Sequence, residues 1–229
     1  GREPIIVRNE QESFLSDDVS IMIAYNKKNG EHIKVVSLLF FTNMNVLPFS
    51  ECIPTEIISY LDPTIEYLYF EEKNEKPIIH LKFKEKEEII LNSSIELNNY
   101  LSSGTIKGMI TFTLAQEVLK EGGCLVVDEI ESSMHPLLTR HLIEMVQDAA
   151  INTSHAQLIF TTHDTGLLDL TLLRRDQIWF AEKNEKTMQT DVYALTDFSP
   201  RKGENIAKGY LQGRYGAIPF IGGNATWVE

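Results

Sequence analysis

Two short apolar runs, each ending abruptly in residues that carry chemistry, constrain this chain most. Leu125-Val126-Val127 runs into Asp128-Glu129, and Leu158-Ile159-Phe160 runs into Thr161-Thr162-His163. Runs this short and apolar suit strands of a buried sheet, and helical spacing flanks them: Ile106 to Lys120 before the first, Pro136 to Ala150 between the two. Helix and strand in alternation predict an α/β arrangement with parallel strands. Ligands of such sheets gather at the carboxyl ends of the strands, where Asp128-Glu129 and His163 fall.

Each feature has an ordinary reading beside the chemical one. An Asp at a strand end can hold Mg²⁺ or its water shell beside the β- and γ-phosphates of a nucleotide, and an adjacent Glu can polarise an attacking water. The same pair also suits two solvated acids after a strand. A His just past the next strand can hydrogen-bond a γ-phosphate oxygen, although a lone His is more often structural. Upstream, Leu101-Ser102-Ser103-Gly104-Thr105 opens a helix. Ser102 or Ser103 can cap it, Gly104 lets a backbone approach an anion closely, and the helix start offers free N–H groups to phosphate. Taken alone, that segment is an N-cap.

The remainder reads as scaffold. A helix is expected over Glu10 to Leu15, a strand over Ser20 to Tyr25, a turn at Lys27-Lys28-Asn29-Gly30, and strand or buried helix over residues 33–42. Thr55 to Tyr60 reads as a short helix stopped by Asp62-Pro63. Strands at Ile65–Glu71, Pro77–Phe83 and Glu88–Leu91, with a turn at Asn74-Glu75-Lys76, predict an antiparallel meander. Gln157 to Thr162 is expected as a second buried strand, Leu167 to Leu173 as a short helical piece, and Gln177–Glu182 with Thr190–Ala194 as a hairpin around Asn184. The predicted division is a scaffold lobe over 1–100 and a motif-bearing part over 101–229.

Charge and cysteine content narrow the classes. A net charge of -12 argues against a generic nucleic-acid surface. Residues 171–229 are the exception, with eight Lys/Arg against seven Asp/Glu. Arg174, Arg175, Arg201, Lys202, Lys208 and Arg214 could meet a polyanion or an effector. Arg174-Arg175 is equally a helix C-terminal charge pair, and Leu211 with Tyr215 reads as packing. Cys52 and Cys124 lack metal spacing, and Cys124 is expected as a small buried hydrophobe. No apolar run approaches 18 residues, so no membrane helix is expected, and a reducing cytoplasm is the natural setting. The start Gly1-Arg2-Glu3-Pro4 has neither Met nor signal-peptide character, so a longer parent protein is expected.

Taken in order, the segments resemble the ABC-type ATPase class. Leu101 to Thr105 resembles its L-S-G-G-Q signature, Leu125 to Glu129 its Walker B strand with catalytic Glu, Ser132 to Pro136 its D-loop, and His163 its switch histidine. The runs D-E-I-E-S-S-M-H-P-L-L and T-T-H-D-T-G-L-L-D, with the tail from Glu204 to Gly216, resemble the prokaryotic AAA-family ATP-binding branch. That branch is related to overcoming-lysogenization-defect and abortive-infection ATPases and, distantly, to SMC-like proteins. The resemblance covers residues 98–216. It implies a P-loop NTPase-like head with a largely parallel sheet after an antiparallel β/α lobe. It also implies ATP and Mg²⁺ as cofactors and two heads, a homodimer, sandwiching the nucleotides. Asp128 (metal), Glu129 and His163 (catalytic) would then act on a nucleotide in cis, and Ser102, Ser103 and Gly104 on the neighbour's in trans. Ser103 stands where the signature has Gly, and Thr105 where it has Gln.

One part is missing: no G-x-x-x-x-G-K-[ST] phosphate loop occurs in the 229 residues. Most contacts to the β- and γ-phosphates depend on that loop and its Lys. The expected activity is therefore ATP hydrolysis by the parent, coupling closure of two heads to an effector protein or DNA in phage defence or DNA maintenance, with the isolated chain inactive. The alternative is a non-catalytic dimerisation or partner-docking module on a degenerate ATPase fold.

Overall fold

The computed structural model describes residues 35–36, 53–73, 76–184, 186–201 and 203–218. The helix expected at Glu10–Leu15, the strand at Ser20–Tyr25, the turn at Lys27–Gly30, Cys52, and Asn74-Glu75 all lie outside the described residues. By contact the chain divides into two units, Gly1–His163 and Asp164–Glu229. The division after residue 100 expected from sequence falls inside the first unit.

The first unit holds two sheets. Strands β2 (Ile65–Lys73), β3 (Lys76–Phe83) and β4 (Ile89–Leu91) form the antiparallel meander in that order. Leu68, Ile79, Leu81 and Leu91 line its buried face, so the period-two alternation picked the inward side. The second sheet is parallel, in the order β1 (Val35–Val36), β5 (Cys124–Val127), β6 (Gln157–Phe160). Mixed α/β with a small parallel sheet is compatible with a P-loop NTPase-like fold. The sheet that carries the two motif strands is parallel at both of its pairings, and the antiparallel strands form the separate meander.

Helix α1 (Thr55–Leu61) ends at Asp62, as the Asp-Pro pair requires, and packs on β2 and on helix α2 (Ser103–Glu121). Every residue from Thr105 to Phe112 is buried, which makes the first half of α2 a central helix and not a surface one. Close approach is possible because position 108 is Gly: a Cβ there would stand 2.3 Å from a methyl of Leu61. Helix α3 (Pro136–Gln147) packs on α2 and β6, with Pro136 in its first turn and the His135 ring accepting the Leu137 N–H at its start. It stops three residues before the expected Ala150. Asp148 leaves the helical region and its carboxylate accepts the Ala150 N–H instead.

Strand β6 is not the buried strand expected. Leu158 and Phe160 on one face are half-buried, while Gln157 and Ile159 on the other are exposed, Ile159 at 48%. Strand β5, with neighbours on both edges, has Leu125, Val126 and Val127 buried. Cys124 is half-buried, and burial pushes its thiol pKa up, which suits an inert residue.

The second unit is a hairpin, β7 (Trp179–Lys183) with β8 (Thr190–Ala194), and helix α4 (Ile206–Leu211). Its core is aromatic: Phe180 stacks on Tyr210 and Tyr215, with Phe198 edge-on to Phe180 and to Tyr215. The Tyr215 hydroxyl donates to Glu204, which also pairs with Arg214. Three expectations are corrected here. Leu167–Leu173 is no helix: a 3-10 turn covers Thr165–Leu167, and then the Asp169 carboxylate accepts from both the amide and the hydroxyl of Thr171, diverting the backbone. Arg174 and Arg175 begin a 3-10 turn and do not end a helix, and Arg174 makes two bonds to Asp176. Tyr215 packs, but Leu211 is 66% exposed. Among the described residues no helix is long and apolar enough to cross a membrane.

Candidate functional site

The parallel register of β5 and β6 places residues 128 and 161 side by side, since Val127 pairs with Phe160. Pairing continues one step past the strands: the Thr161 N–H donates to Val127 O at 3.0 Å, and the Ile130 N–H to Thr161 O at 3.1 Å. The Thr161 hydroxyl then does two things. It donates to Asp128 Oδ1 at 2.5 Å and accepts the Glu129 N–H at 2.8 Å. One donor and an available lone pair are what a hydroxyl offers, and both are used here.

Glu129 has φ +51°, a left-handed backbone uncommon for a residue with a side chain. Two bonds hold it there, its own N–H to Thr161 and its carbonyl accepting the Ser132 N–H at 2.9 Å. The side chain turns toward His163, with Glu129 Oε1 3.9 Å from His163 Nε2. That gap exceeds a hydrogen bond but lies within coulombic reach. The His163 ring is 87% exposed and the Glu129 side chain 40%, so both stand at the open carboxyl edge of the sheet. The three residues expected to act in cis are thus brought together.

Glu131 and Lys107 emerge only in three dimensions. Glu131 Oε1 accepts the His163 N–H at 2.8 Å, and Oε2 accepts the Thr162 hydroxyl at 2.7 Å. Lys107, on α2, is buried. Burial pulls its ammonium pKa below the usual lysine value, while the Glu129 and Glu131 carboxylates push it back up. Sequence spacing could not single out Lys107. Glu131 lay in the D-E-I-E run without a role.

Residues 102–104 form the start of α2. Ser102 caps α2: its Oγ accepts the Thr105 N–H at 3.0 Å and shares a bond with the Thr105 hydroxyl at 2.8 Å. Ser103 is exposed, and no bond to the Ser103 or Gly104 amide occurs among the described residues, which leaves two donors at the helix start. Gly104 is pressed against the turn after β5; a Cβ there would lie 2.3 Å from the Ser133 carbonyl oxygen. None of the three is bonded to Asp128, Glu129 or His163.

Among the described residues no group of three or more His, Cys, Asp or Glu could hold a metal by itself. Mg²⁺ bound with a nucleotide asks for less, one or two carboxylates plus phosphates and water. Asp128 meets that, since only Oδ1 is engaged by Thr161.

Residues 60–169 match the family model described as "AAA domain, putative AbiEii toxin, Type IV TA system". The match spans the whole wall from Ser102 to His163 and supports an AAA-family, nucleotide-binding, ATPase-type domain over those residues. No curated protein gave a significant match to the chain.

Proposed function

We propose that the chain supplies one wall of an ATP-hydrolysing site and that a phosphate loop from a segment outside this sequence completes it. The observation that carries the reading is the meeting of Asp128, Glu129 and His163 at the carboxyl ends of two adjacent parallel strands, with Thr161 bonded to the first two. Nothing in sheet formation requires an acid, a second acid and a histidine there.

Glu129 is the general base, accepting a proton from the attacking water. Its exposed carboxylate and left-handed backbone suit a residue held toward solvent by its neighbours. His163 reaches into the same open space and would donate to a γ-phosphate oxygen or orient the water. Asp128 would hold Mg²⁺, which supplies charge neutralisation at the β- and γ-phosphates. Thr161 keeps the two acids in register. Ser103 is exposed, and with the unbonded amides of Ser103 and Gly104 at the helix start it would meet the γ-phosphate bound by a second copy in a homodimer of heads. Closure of that dimer would drive an effector or DNA in defence or DNA maintenance.

The test is ATP turnover by the protein carrying its phosphate loop, with Glu129 and with Glu129→Gln. Loss of a positioned base is expected to lower turnover about 10²- to 10⁴-fold. Equal turnover sinks the assignment.

A further inference from the structure

Glu131 is the one acid of the D-E-I-E run that the hydrolysis chemistry leaves unused, and it is the most fully bonded of the three. Its two oxygens are divided between the Thr162 hydroxyl and the His163 amide, at 2.7 and 2.8 Å. Both partners lie on the loop after β6, whereas Glu131 lies on the turn after β5. The carboxylate is therefore a strap between the two strand ends. A carboxylate accepting a backbone N–H makes a charge-assisted bond, about twice as strong as a neutral one. The buried Lys107 on α2 lies within coulombic range of Glu129 and Glu131, whose carboxylates favour its charged form.

Thr161 and Glu131 divide the work of alignment. Thr161 bonds to Asp128 and to the Glu129 amide, so it sets the acids. It makes no bond to His163. The His163 ring is almost wholly exposed and has no packing of its own to fix it; its backbone is held by Glu131. The backbone from which His163 Nε2 comes within 3.9 Å of Glu129 Oε1 is thus held by Glu131.

We propose that Glu131 is a positioning residue: by accepting the His163 amide and the Thr162 hydroxyl, it fixes where the His163 imidazole stands relative to Glu129. Its catalytic consequence rests on the ATPase reading above; the strap itself does not. Glu131 touches no nucleotide in this scheme, so its loss should slow turnover without weakening nucleotide binding.

Two measurements on Glu131→Ala and Glu131→Gln test this. The first is amide hydrogen exchange at His163 in the chain without nucleotide. In the Ala variant exchange should accelerate about tenfold, the worth of one such bond. In the Gln variant the rise should be smaller, about threefold, because the carboxamide oxygen still accepts the N–H, though in a neutral bond about half as strong, while its NH₂ donates to the Thr162 oxygen. Unchanged exchange in the Ala variant overturns the strap. The second is steady-state ATP turnover of the phosphate-loop-bearing protein. The Ala variant should lose about ten- to a hundredfold in kcat with KM nearly unchanged, and Gln should restore most of it. Should Ala unfold the turn, Glu131→Leu keeps the bulk without acceptors and carries the same expectations. Wild-type kcat in the Ala or Leu variant, alongside a dead Glu129→Gln, overturns the positioning role and leaves the ATPase reading standing. Full turnover in Glu129→Gln removes the ATPase reading and the positioning role with it, and the hydrogen-exchange result then stands alone for the strap.

Discussion

Replacing Gly104 by Ala should destabilise the chain, and the reason is internal packing, not anion approach. An ideal Cβ at position 104 would stand 2.3 Å from the Ser133 carbonyl oxygen, whereas ordinary contact begins near 3.4 Å, so helix start and turn must separate by roughly 1 Å. The turn has little room to give. Its backbone is closed by Ser132 N–H to Glu129 O at 2.9 Å and by Met134 N–H to Glu131 O at 3.0 Å, and Ser133 itself sits at φ +62°. Forced overpacking of this kind costs about 1–3 kcal/mol. Ala offsets part of it, because it is the better helix former by about 0.8–1 kcal/mol in a helix interior and by less, about 0.5–1 kcal/mol, in the first turn where residue 104 stands. The net expectation is a loss of about 0.5–2 kcal/mol, or a fall in Tm of roughly 1–8 °C for a chain of this size. Thermal unfolding followed by circular dichroism measures it. Ser103→Ala is the control, since that residue is exposed and no hydrogen bond of its hydroxyl is seen among the described residues; its stability should stay within about 0.5 kcal/mol of wild type. A Gly104→Ala chain as stable as the Ser103→Ala control would refute the close approach of α2 to the turn.

Two further outcomes follow from titrating groups. Lys107 is buried with a lowered pKa, so between that value and the ordinary lysine value the unfolded chain binds more protons than the folded one, and stability rises with pH; urea denaturation of wild type and Lys107→Met from neutral to alkaline pH should show the difference between them shifting in favour of wild type, and a flat difference refutes the burial. Burial, and then the hydrogen bond to the Glu182 carboxylate, push Tyr193 up to about 12, so the stability tied to its protonated form is present below its ordinary value of 10 and lost as pH rises through 12; near-ultraviolet titration should show a late-ionising tyrosine that Tyr193→Phe removes, and its absence from wild type would contradict the packing of the second unit.

What could be read from sequence follows from range of interaction. Strand β5 and the meander were legible because their patterns are local: Leu125 to Val127 is apolar throughout, and Leu68, Ile79 and Leu81 fall on one face. Strand β6 has the same local pattern as β5, yet Ile159 is exposed, because burial depends on what lies on the other face and not on the strand. The helical reading of Leu167–Leu173 failed because one side chain, Asp169, competes for the backbone. At the site, the grouping of Asp128, Glu129 and His163 could be expected because each lies within three residues of the end of one of two adjacent strands. That of Thr161, Glu131 and Lys107 could not, since their partners lie 33, 32 and at least 22 residues away, and only the β5–β6 register and the burial of α2 bring them together. Ser102 was legible as a cap, but the demand on Gly104 made by Ser133 was not.

The turn from Asp128 to Met134 is where these contacts meet. At one end Thr161 and Glu131 join it to the loop after β6; at the other, Ser133 is pressed against Gly104 at the start of α2. Two of its residues with side chains, Glu129 and Ser133, hold left-handed backbone conformations that cost about 1 kcal/mol or more each and persist only where neighbours over-determine them. Such a segment has few soft degrees of freedom, so displacement at one end is carried to the other and not absorbed between. In the proposed two-headed site, the start of α2 meets the neighbour's nucleotide while Glu129 and His163 face the chain's own. A push on α2 would then reach Glu129 through Ser133 and the turn. The close packing at Gly104 and the strap at Glu131 are, on this reasoning, two fastenings of one rigid piece, and loosening either should disturb the same 3.9 Å separation between Glu129 and His163.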